Sequence, residues 1–160
     1  MEGKTVFESA IQTYKIAMPE DANPGNFNIN GGIVLGLIDD TAGIVSLRHC
    51  RTRTVTASID RMDFLYPVRV GDLMILKAAV NCTFKTSMEI GVKVEVEKIM
   101  TGEVHTTGRA YMTFVAIDEN GKPINVPPVI PQTEDEKRRF KEAKKRRALR
   151  LEQREKMKEE

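Results

Sequence analysis

The feature that most constrains this chain is a run of mainly aliphatic residues between Gly31 and His49. Placed on a helix, the run has apolar side chains on almost every side, and its 19 residues would extend about 28 Å. A helix that is apolar all round is buried rather than amphipathic. We therefore expect one long central helix that other secondary structure covers.

The segments before and after this helix show the patterns of β-strands. The alternation of apolar and polar residues is cleanest from Met88 to Glu97, which indicates a strand with one buried and one wet face. Short turns join the strands that follow the helix, so we expect them to pair as an antiparallel meander. The predicted strands span residues 6–18, 54–66, 73–83, 88–97 and 103–118. The sequence thus predicts an α+β fold in which a curved antiparallel sheet wraps around one long helix.

A proline-rich stretch at residues 127–131 marks a change in composition, because proline interrupts helix and strand alike. We expect a folded body over residues 1–131 and a charged helical tail over residues 132–160, with 12 Lys and Arg against 8 Asp and Glu from Thr133 onward. The tail opens with a helix-capping signature. Its few apolar residues predict a helix packed on a neighbouring surface through Phe140. The alternative is a basic patch that binds phosphate-bearing ligands or nucleic acid.

Composition excludes several classes of protein. The two cysteines, Cys50 and Cys82, form no disulfide framework, and two distant histidines make a metal site unexpected. Aromatic residues are only 6% of the chain and Trp is absent, which argues against nucleic-acid binding by base stacking. No apolar run is long enough to span a bilayer and no secretion signal opens the chain. We expect a cytoplasmic protein without a metal, a nucleic acid or a membrane as partner.

The central helix also carries a stripe of small residues with one carboxylate in it. Its members are Gly32, Gly36, Asp39 and Gly43. Residues three or four positions apart lie on one face of a helix. Burying a lone carboxylate costs several kcal/mol, so Asp39 either has a structural partner in a helix–helix contact or faces a cleft.

The start of the helix has the features of an oxyanion site. The residues Asn30, Gly31 and Gly32 place unpaired backbone N–H groups at the positive end of the helix dipole. Such donors stabilise a developing oxyanion, and a carboxylate two turns further on, at Asp39, would hold and deprotonate a water. Together these groups meet the requirements of hydrolysis by acyl transfer. The nucleophile motif Gly-x-Ser-x-Gly is absent from the sequence.

A series of short motifs follows in a characteristic order along the chain. They are Asp21-Ala22-Asn23, Gly31-Gly32, Ile38 to Gly43, Arg48-His49-Cys50, Thr56 to Asp60, Ser87 to Ile90, Val126-Pro127-Pro128 and Thr133 to Lys137. In this order and spacing they resemble the hot-dog-fold acyl-CoA thioesterases, most closely the cytosolic (brain-type) acyl-CoA hydrolase group, over nearly the whole chain. The resemblance implies the hot-dog fold and the hydrolysis of fatty acyl-CoA to free fatty acid and CoA. CoA would then be part of substrate and product, and no separate cofactor is implied.

The resemblance also implies an assembly and roles for single residues. Two subunits would pair edge to edge with active sites between them, commonly within a hexameric trimer of dimers. Asp39 would be the base or water-orienting carboxylate, Asn23 would position the water or the thioester across the dimer, and the Gly32 N–H would polarise the carbonyl. The loop after Asn23 is one residue longer than is usual, and Asn30 stands where His or Phe commonly precedes the glycines. Asn26 or Asn30 is therefore an alternative for part of the role of Asn23.

Further candidate residues have weaker support. Gly31 and Asn30 would contact the substrate at the start of the helix. A polar group at a strand junction would contact the nucleotide or pantetheine part of CoA, or else form an ordinary turn; it consists of Lys85, Thr86 and Ser87. At the other end of the helix, Arg48 with His49 fits stabilisation of the helix dipole better than catalysis.

Two other functions remain open at this point. The loop from Asp21 to Pro24 also resembles the Asp-x-Asn-Pro-x-His motif of hot-dog enoyl-CoA hydratases. Here Asn26 replaces the histidine, so hydration would lack its second acid–base group. A protein that binds acyl-CoA without hydrolysing it, and acts as a sensor or scaffold, is the other alternative, because a fold does not determine a function.

Overall fold

The computed structural model describes residues 1–159 and contains two long helices and a main antiparallel sheet. The helices are α1 (Gly31–Cys50) and α2 (Glu134–Lys158). The strands are β1 (Lys4–Thr5), β2 (Ile11–Ile16), β3 (Thr54–Ile59), β4 (Leu73–Thr83), β5 (Ser87–Lys98), β6 (Glu103–Ala116) and β7 (Val129–Ile130). Short 3₁₀ turns span Val6–Glu8 and Pro19–Asp21. None of the helices within residues 1–159 is long and apolar enough to cross a membrane.

The main sheet has the strand order β2-β4-β5-β6-β3, with antiparallel neighbours throughout. Strands β1 and β7 pair separately in parallel. Helix α1 packs on one face of the main sheet and contacts all five of its strands. The α+β architecture and the central helix predicted from the sequence are therefore confirmed.

The core lies between α1 and the inner face of the sheet. Helix α1 contributes buried side chains from one side, while β4, β5 and β6 each contribute every second residue. The buried core residues of α1 are Val34, Ile38, Ala42 and Val45. Full burial of one such aliphatic side chain contributes about 1.5–3 kcal/mol, so this face of α1 fixes the helix on the sheet.

The opposite face of α1 is not covered, and the expectation of burial on every side is wrong for the single chain. Ile33, Ile44 and Leu47 are exposed, with relative accessibilities of 38–48%. A one-layer sheet covers only one side of a helix, and nothing within residues 1–159 packs over the other. The aliphatic residues on this second face therefore remain in contact with solvent in the isolated chain.

Strand β3 is shorter than predicted and forms an edge of the sheet. It ends at Ile59, whereas the sequence predicts a strand to Tyr66. The ladder to β6 is already irregular between Thr56 and Ser58. Beyond it the chain continues as irregular backbone beside β6, held by the bonds from Asp60 N–H to the Tyr111 carbonyl and from Leu65 N–H to the Thr107 carbonyl.

Helix α2 is fixed to the outer face of the sheet by ion pairs. Glu89 of β5 is fully buried and accepts hydrogen bonds from Arg146 (2.7–3.2 Å), Arg150 (3.1 Å) and Asn81 (3.0 Å). Burial raises the pKa of Glu89, but the bonds from Arg146 and Asn81 outweigh this and hold that pKa below its ordinary value. Arg150 also pairs with Asp60 at 2.8 Å. These arginines anchor the helix.

The predicted cap and apolar contact of α2 are confirmed. The Thr133 hydroxyl accepts a hydrogen bond from the Glu136 N–H, and Phe140 packs against the core. Sequence reasoning did not foresee the buried ion pairs, because it considered only Phe140 as a contact between the tail and the body, and Arg146 and Glu89 lie 57 positions apart. The division into a body of residues 1–131 and a separate tail stays a prediction.

Replacing Arg146 with alanine is expected to lower the free energy of unfolding by about 3 kcal/mol, because the change withdraws the closest partner of a buried carboxylate. Urea denaturation followed by circular dichroism measures this. The matched control is Arg154→Ala, since Arg154 lies on the same helix and is exposed. Equal midpoints for the two variants would contradict the anchoring role of Arg146.

Candidate active site

A cleft of about 320 Å³ opens at the N-terminus of α1, and we term it the N-terminal cleft. It is lined by Asn23 and Gly31, two of the predicted site residues, and by the aromatic rings of Phe64 and Tyr66. The other lining residues are Asn28, Ile29, Val34, Pro67 and Val68. The loop that carries Asn23 is held by two backbone bonds, from Asn23 N–H to the Asn28 carbonyl and from Ile29 N–H to the Val68 carbonyl, each 2.8 Å.

Asn30 caps the helix at the edge of this cleft. Its Oδ1 accepts a hydrogen bond from the Gly32 N–H at 2.8 Å, which is the preferred use of Asn at this position. No acceptor within residues 1–159 engages the Gly31 N–H. Of the two glycine donors predicted from the sequence, Gly31 is therefore the open one, and Gly32 becomes available only when the Asn30 side chain rotates.

Asp39 lies further along α1 and is half-buried. Its Oδ1 accepts a hydrogen bond from the Thr56 hydroxyl of β3 at 2.7 Å. No cation pairs with Asp39 within the described part of the chain. The sequence left two alternatives open for Asp39, a partner in a helix–helix contact or a position facing a cleft. The structure has no helix–helix contact at this carboxylate. Asp39 is instead held from one side by a hydroxyl and is accessible to solvent.

Thr56 is the contact that sequence reasoning missed. It lies 17 positions after Asp39, on a different element, so helical or strand periodicity does not connect the two residues. The available signal was its place in the motif from Thr56 to Asp60 that contributes to the family resemblance. The side chain is exposed on the edge strand, which leaves the pair of Asp39 and Thr56 open at the surface of the single chain.

A single chain does not bring Asn23 and Asp39 together. Asp39 lies eight positions after Gly31 on α1, which corresponds to about 12 Å along the axis. Asp39 is not among the residues that line the N-terminal cleft. The two predicted catalytic side chains thus lie in different parts of one subunit.

The weaker candidates at the strand junction lie near the opposite end of α1. Val129 N–H donates to the Thr83 hydroxyl, and the nearby Pro127 carbonyl accepts from His49 at the end of the helix. The residues of the junction form hydrogen bonds within the fold. The Lys85 and Thr86 carbonyls accept backbone bonds, and the Ser87 hydroxyl accepts one from Arg147 at 3.3 Å. The helix between this junction and the cleft has 20 residues, or about 30 Å.

The expectation that His49 stabilises the helix dipole as a cation is wrong. His49 is fully buried and its Nε2–H donates to the Pro127 carbonyl at 2.7 Å. Burial lowers the pKa of His49 below its ordinary value, so the ring is neutral at neutral pH. The other predicted residue, Arg48, does place a cation in the last turn of α1, and the Lys4 ammonium group donates to the His49 carbonyl at 2.6 Å.

His105 supports the wall of the N-terminal cleft. Its ring stacks on Tyr66 with a centroid distance of 4.0 Å and an interplanar angle of 6°. Its Nε2–H donates to the Glu103 carboxylate at 2.6 Å. The described residues contain no cluster of three or more His, Cys, Asp or Glu side chains able to hold a metal ion. The chemistry available at this site is that of carboxylate, amide, hydroxyl and backbone N–H groups.

Comparison with known proteins identifies the family. Residues 27–103 match the model of the thioesterase superfamily. An uncharacterized acyl-CoA thioester hydrolase of Bacillus subtilis is 44% identical over 129 residues, which is 81% of this chain and 74% of that protein. The chain belongs to the hot-dog-fold acyl-CoA thioesterases. The family predicted from the sequence is therefore confirmed.

Solved structures of other acyl-CoA thioesterases have the same fold. An apo-hexameric acyl-CoA thioesterase is 38% identical, with a TM-score of 0.92 over 96% of this chain and 97% of that one. An acyl-CoA hydrolase of Staphylococcus aureus, solved with butyryl-CoA and CoA, is 31% identical, with a TM-score of 0.86 over 97% and 96%. The chain spans only 38% of the rat cytosolic acyl-CoA thioester hydrolase, to which it is 36% identical over 147 residues.

Proposed function

We propose that this thioesterase hydrolyses the thioester bond of fatty acyl-CoA to give a free fatty acid and CoA. The observation that carries the proposal is an accessible carboxylate, Asp39, held by the Thr56 hydroxyl at 2.7 Å. The B. subtilis relative named an acyl-CoA thioester hydrolase supports the substrate class. CoA enters as part of the substrate and leaves as product, and the chemistry needs no separate cofactor. The rat cytosolic relative supports a cytoplasmic location.

In this mechanism Asp39 activates a water molecule. The Thr56 hydroxyl occupies Oδ1, so the second carboxylate oxygen accepts a hydrogen bond from the water. The carboxylate takes a proton as the water oxygen bonds to the thioester carbonyl carbon. The carbon–sulfur bond then breaks, and the CoA thiolate receives the proton. Asp39 is thereby regenerated.

In the assembly proposed below, the charge that develops on the carbonyl oxygen is stabilised by the N-terminus of α1 in the subunit that also supplies Asn23, because Gly31 and Asn23 line the same cleft and Asp39 does not. The open Gly31 N–H points out of the first turn, where the helix dipole favours negative charge. Rotation of the Asn30 side chain would release the Gly32 N–H as a second donor. One donor of this type contributes about 3 kcal/mol to transition-state stabilisation. Gly32, as predicted, and Gly31 then act together.

We propose that a second subunit completes the site. Strand β3 is an edge strand, whose unpaired backbone groups are able to pair with another strand. Val55 and Ile59 on β3 are exposed, as are Ile33, Ile44 and Leu47 on α1. Pairing of two β3 strands would cover this apolar surface. It would also supply the partner's Asn23 to Asp39, which a single chain does not do.

The solved relatives support this assembly and these residues. A hexameric acyl-CoA thioesterase supports a trimer of dimers for this chain. The S. aureus hydrolase was solved as three variants in which alanine replaces one aspartate, one asparagine or one threonine. There the aspartate precedes the threonine by 17 positions, as Asp39 precedes Thr56 here. In that hydrolase the asparagine precedes the aspartate by 15 positions, whereas Asn23 precedes Asp39 by 16 positions here. The additional position agrees with the longer loop after Asn23 in this chain.

The change Thr56→Val is expected to lower kcat about tenfold to a hundredfold, because it removes a hydrogen bond to the catalytic carboxylate while keeping the side-chain shape. KM should change little. The serine variant, Thr56→Ser, keeps the hydroxyl and should retain most of the activity. Steady-state release of free thiol measures these rates, and a valine variant as active as the wild type would contradict the role of Thr56.

A direct assay separates the proposed function from its alternatives. Release of free thiol from saturated acyl-CoA is expected for a thioesterase. Conversion of enoyl-CoA to hydroxyacyl-CoA would instead indicate a hydratase, and saturable binding without turnover would indicate a sensor. A series of acyl-CoA chain lengths should be assayed together, since its rate profile also gives the substrate preference.

A further inference from the structure

The ring of Phe64 lies against the first turn of α1. A Cβ atom placed at Gly31 would be 3.6 Å from Cζ and 3.7 Å from Cε2 of this ring, which is van der Waals contact. The ring therefore leaves room for about one methyl group beside the Gly31 Cα. Phe64 lines the N-terminal cleft, and its relative accessibility is 47%. The proposed mechanism assigns no role to this ring.

The backbone on both sides of Phe64 is fixed on β6. On one side, the Leu65 N–H donates to the Thr107 carbonyl at 2.8 Å. On the other side, a Cβ atom placed at Gly108 would lie 2.7 Å from the Asp63 carbonyl oxygen. That is closer than a side chain permits, so glycine in this strand allows two backbones to approach each other. The position of Phe64 relative to α1 is therefore set by the residues immediately before and after it.

An acyl group bound at the N-terminal cleft comes close to this ring. In the proposed mechanism the thioester carbonyl oxygen accepts a hydrogen bond from the Gly31 N–H, so the carbon next to the carbonyl lies at the first turn of α1. A largely apolar lining is typical of a site that holds a hydrocarbon group. The other apolar residues that line the cleft are Ile29, Val34, Pro67 and Val68. The first carbon of the chain therefore meets Phe64 before any later carbon reaches the rest of the cleft.

We propose that Phe64 determines specificity by selecting straight acyl chains over chains that branch at the carbon next to the carbonyl. The first methylene of a straight chain fits the space of about one methyl group between Gly31 and the ring. A methyl branch on the same carbon would have to occupy the place of the ring. Such a clash with the wrong substrate is a direct source of specificity, and one added methyl group changes kcat/KM by about tenfold to two-hundredfold. The inference rests on the proposed hydrolysis of acyl-CoA.

The test compares the hydrolysis of butyryl-CoA with that of isobutyryl-CoA, which has the same number of carbon atoms but a branch next to the carbonyl. The ratio of the two kcat/KM values does not depend on how much of the enzyme is folded. In the variant Phe64→Ala, the isobutyryl-to-butyryl ratio is expected to rise at least about tenfold over the wild type. The matched control is Leu65→Ala, since Leu65 is the next residue, is exposed and does not line the cleft. Its ratio should equal that of the wild type.

A graded variant shows whether the size of the ring is the cause. Phe64→Leu keeps part of the bulk and should give a ratio between those of the wild type and the alanine variant. An unchanged ratio in Phe64→Ala would overturn the proposal, as would an equal rise in Leu65→Ala. The proposed function fails in a different way. If the wild type released no thiol from either substrate, hydrolysis itself would be refuted, whereas an active wild type with an unchanged ratio in Phe64→Ala refutes only the role of the ring.

Discussion

Replacing Asp39 with asparagine is expected to lower kcat for acyl-CoA hydrolysis by about a thousandfold, because the amide keeps the shape of the side chain but cannot take a proton from water. The fold should be unaffected. Asp39 is half-buried, has no ion pair within residues 1–159, and contacts Thr56 through one hydrogen bond. The alanine variant should lose activity to a similar extent.

The matched control for this prediction is Asp40→Asn. Asp40 is the neighbouring residue on α1, carries the same charge and is exposed, so its replacement should leave kcat close to the wild-type value. Thiol release gives the rates, and urea denaturation together with size-exclusion chromatography verifies fold and assembly. An Asp39→Asn variant with a wild-type rate would reject this residue as the base.

Mixing two inactive variants is expected to restore activity, which is the second large effect. Asn23→Ala and Asp39→Ala should each be inactive as pure proteins. In a mixed dimer, one site combines the intact Asp39 of the first subunit with the intact Asn23 of the second, while the other site lacks both. Random exchange should therefore recover about a quarter of the wild-type activity, as two-fold symmetry requires.

This experiment contains its own control. A double variant that carries Asn23→Ala and Asp39→Ala in the same chain cannot rebuild a site with Asp39→Ala, so that mixture should stay inactive. Mass spectrometry of differently tagged subunits shows whether exchange has occurred. No recovery after demonstrated exchange would mean that the two residues do not act across the dimer.

The main elements of the fold were predictable because periodicity reflects burial. The apolar run from Gly31 to His49 matches α1, and the alternation from Met88 to Glu97 matches β5 within one residue at either end. The same reasoning failed where burial depends on a second molecule. The exposed face of α1, with Ile44 and Leu47, looks like core in the sequence but is uncovered in one chain.

The candidate site was predictable only in part. Asp39 stands out in the sequence as a carboxylate in an apolar helix, and Gly31 as a residue of a helix start. The hydrogen bond from Thr56 to Asp39 and the bond from the Gly32 N–H to Asn30 depend on side-chain positions. Motif spacing does not record such positions. The buried bond between Arg146 and Glu89 joins residues 57 positions apart, so only tertiary structure makes it visible.

The central claim is that Asp39 directs water onto the thioester. The most direct test is a single-turnover reaction in water labelled with the heavy oxygen isotope. With enzyme in excess over acyl-CoA, the account predicts that the fatty acid carries one labelled oxygen and that Asp39 stays unlabelled. Unlabelled fatty acid together with a labelled Asp39 carboxylate would mean that the side chain itself attacks the carbonyl. That result would contradict water activation as the mechanism.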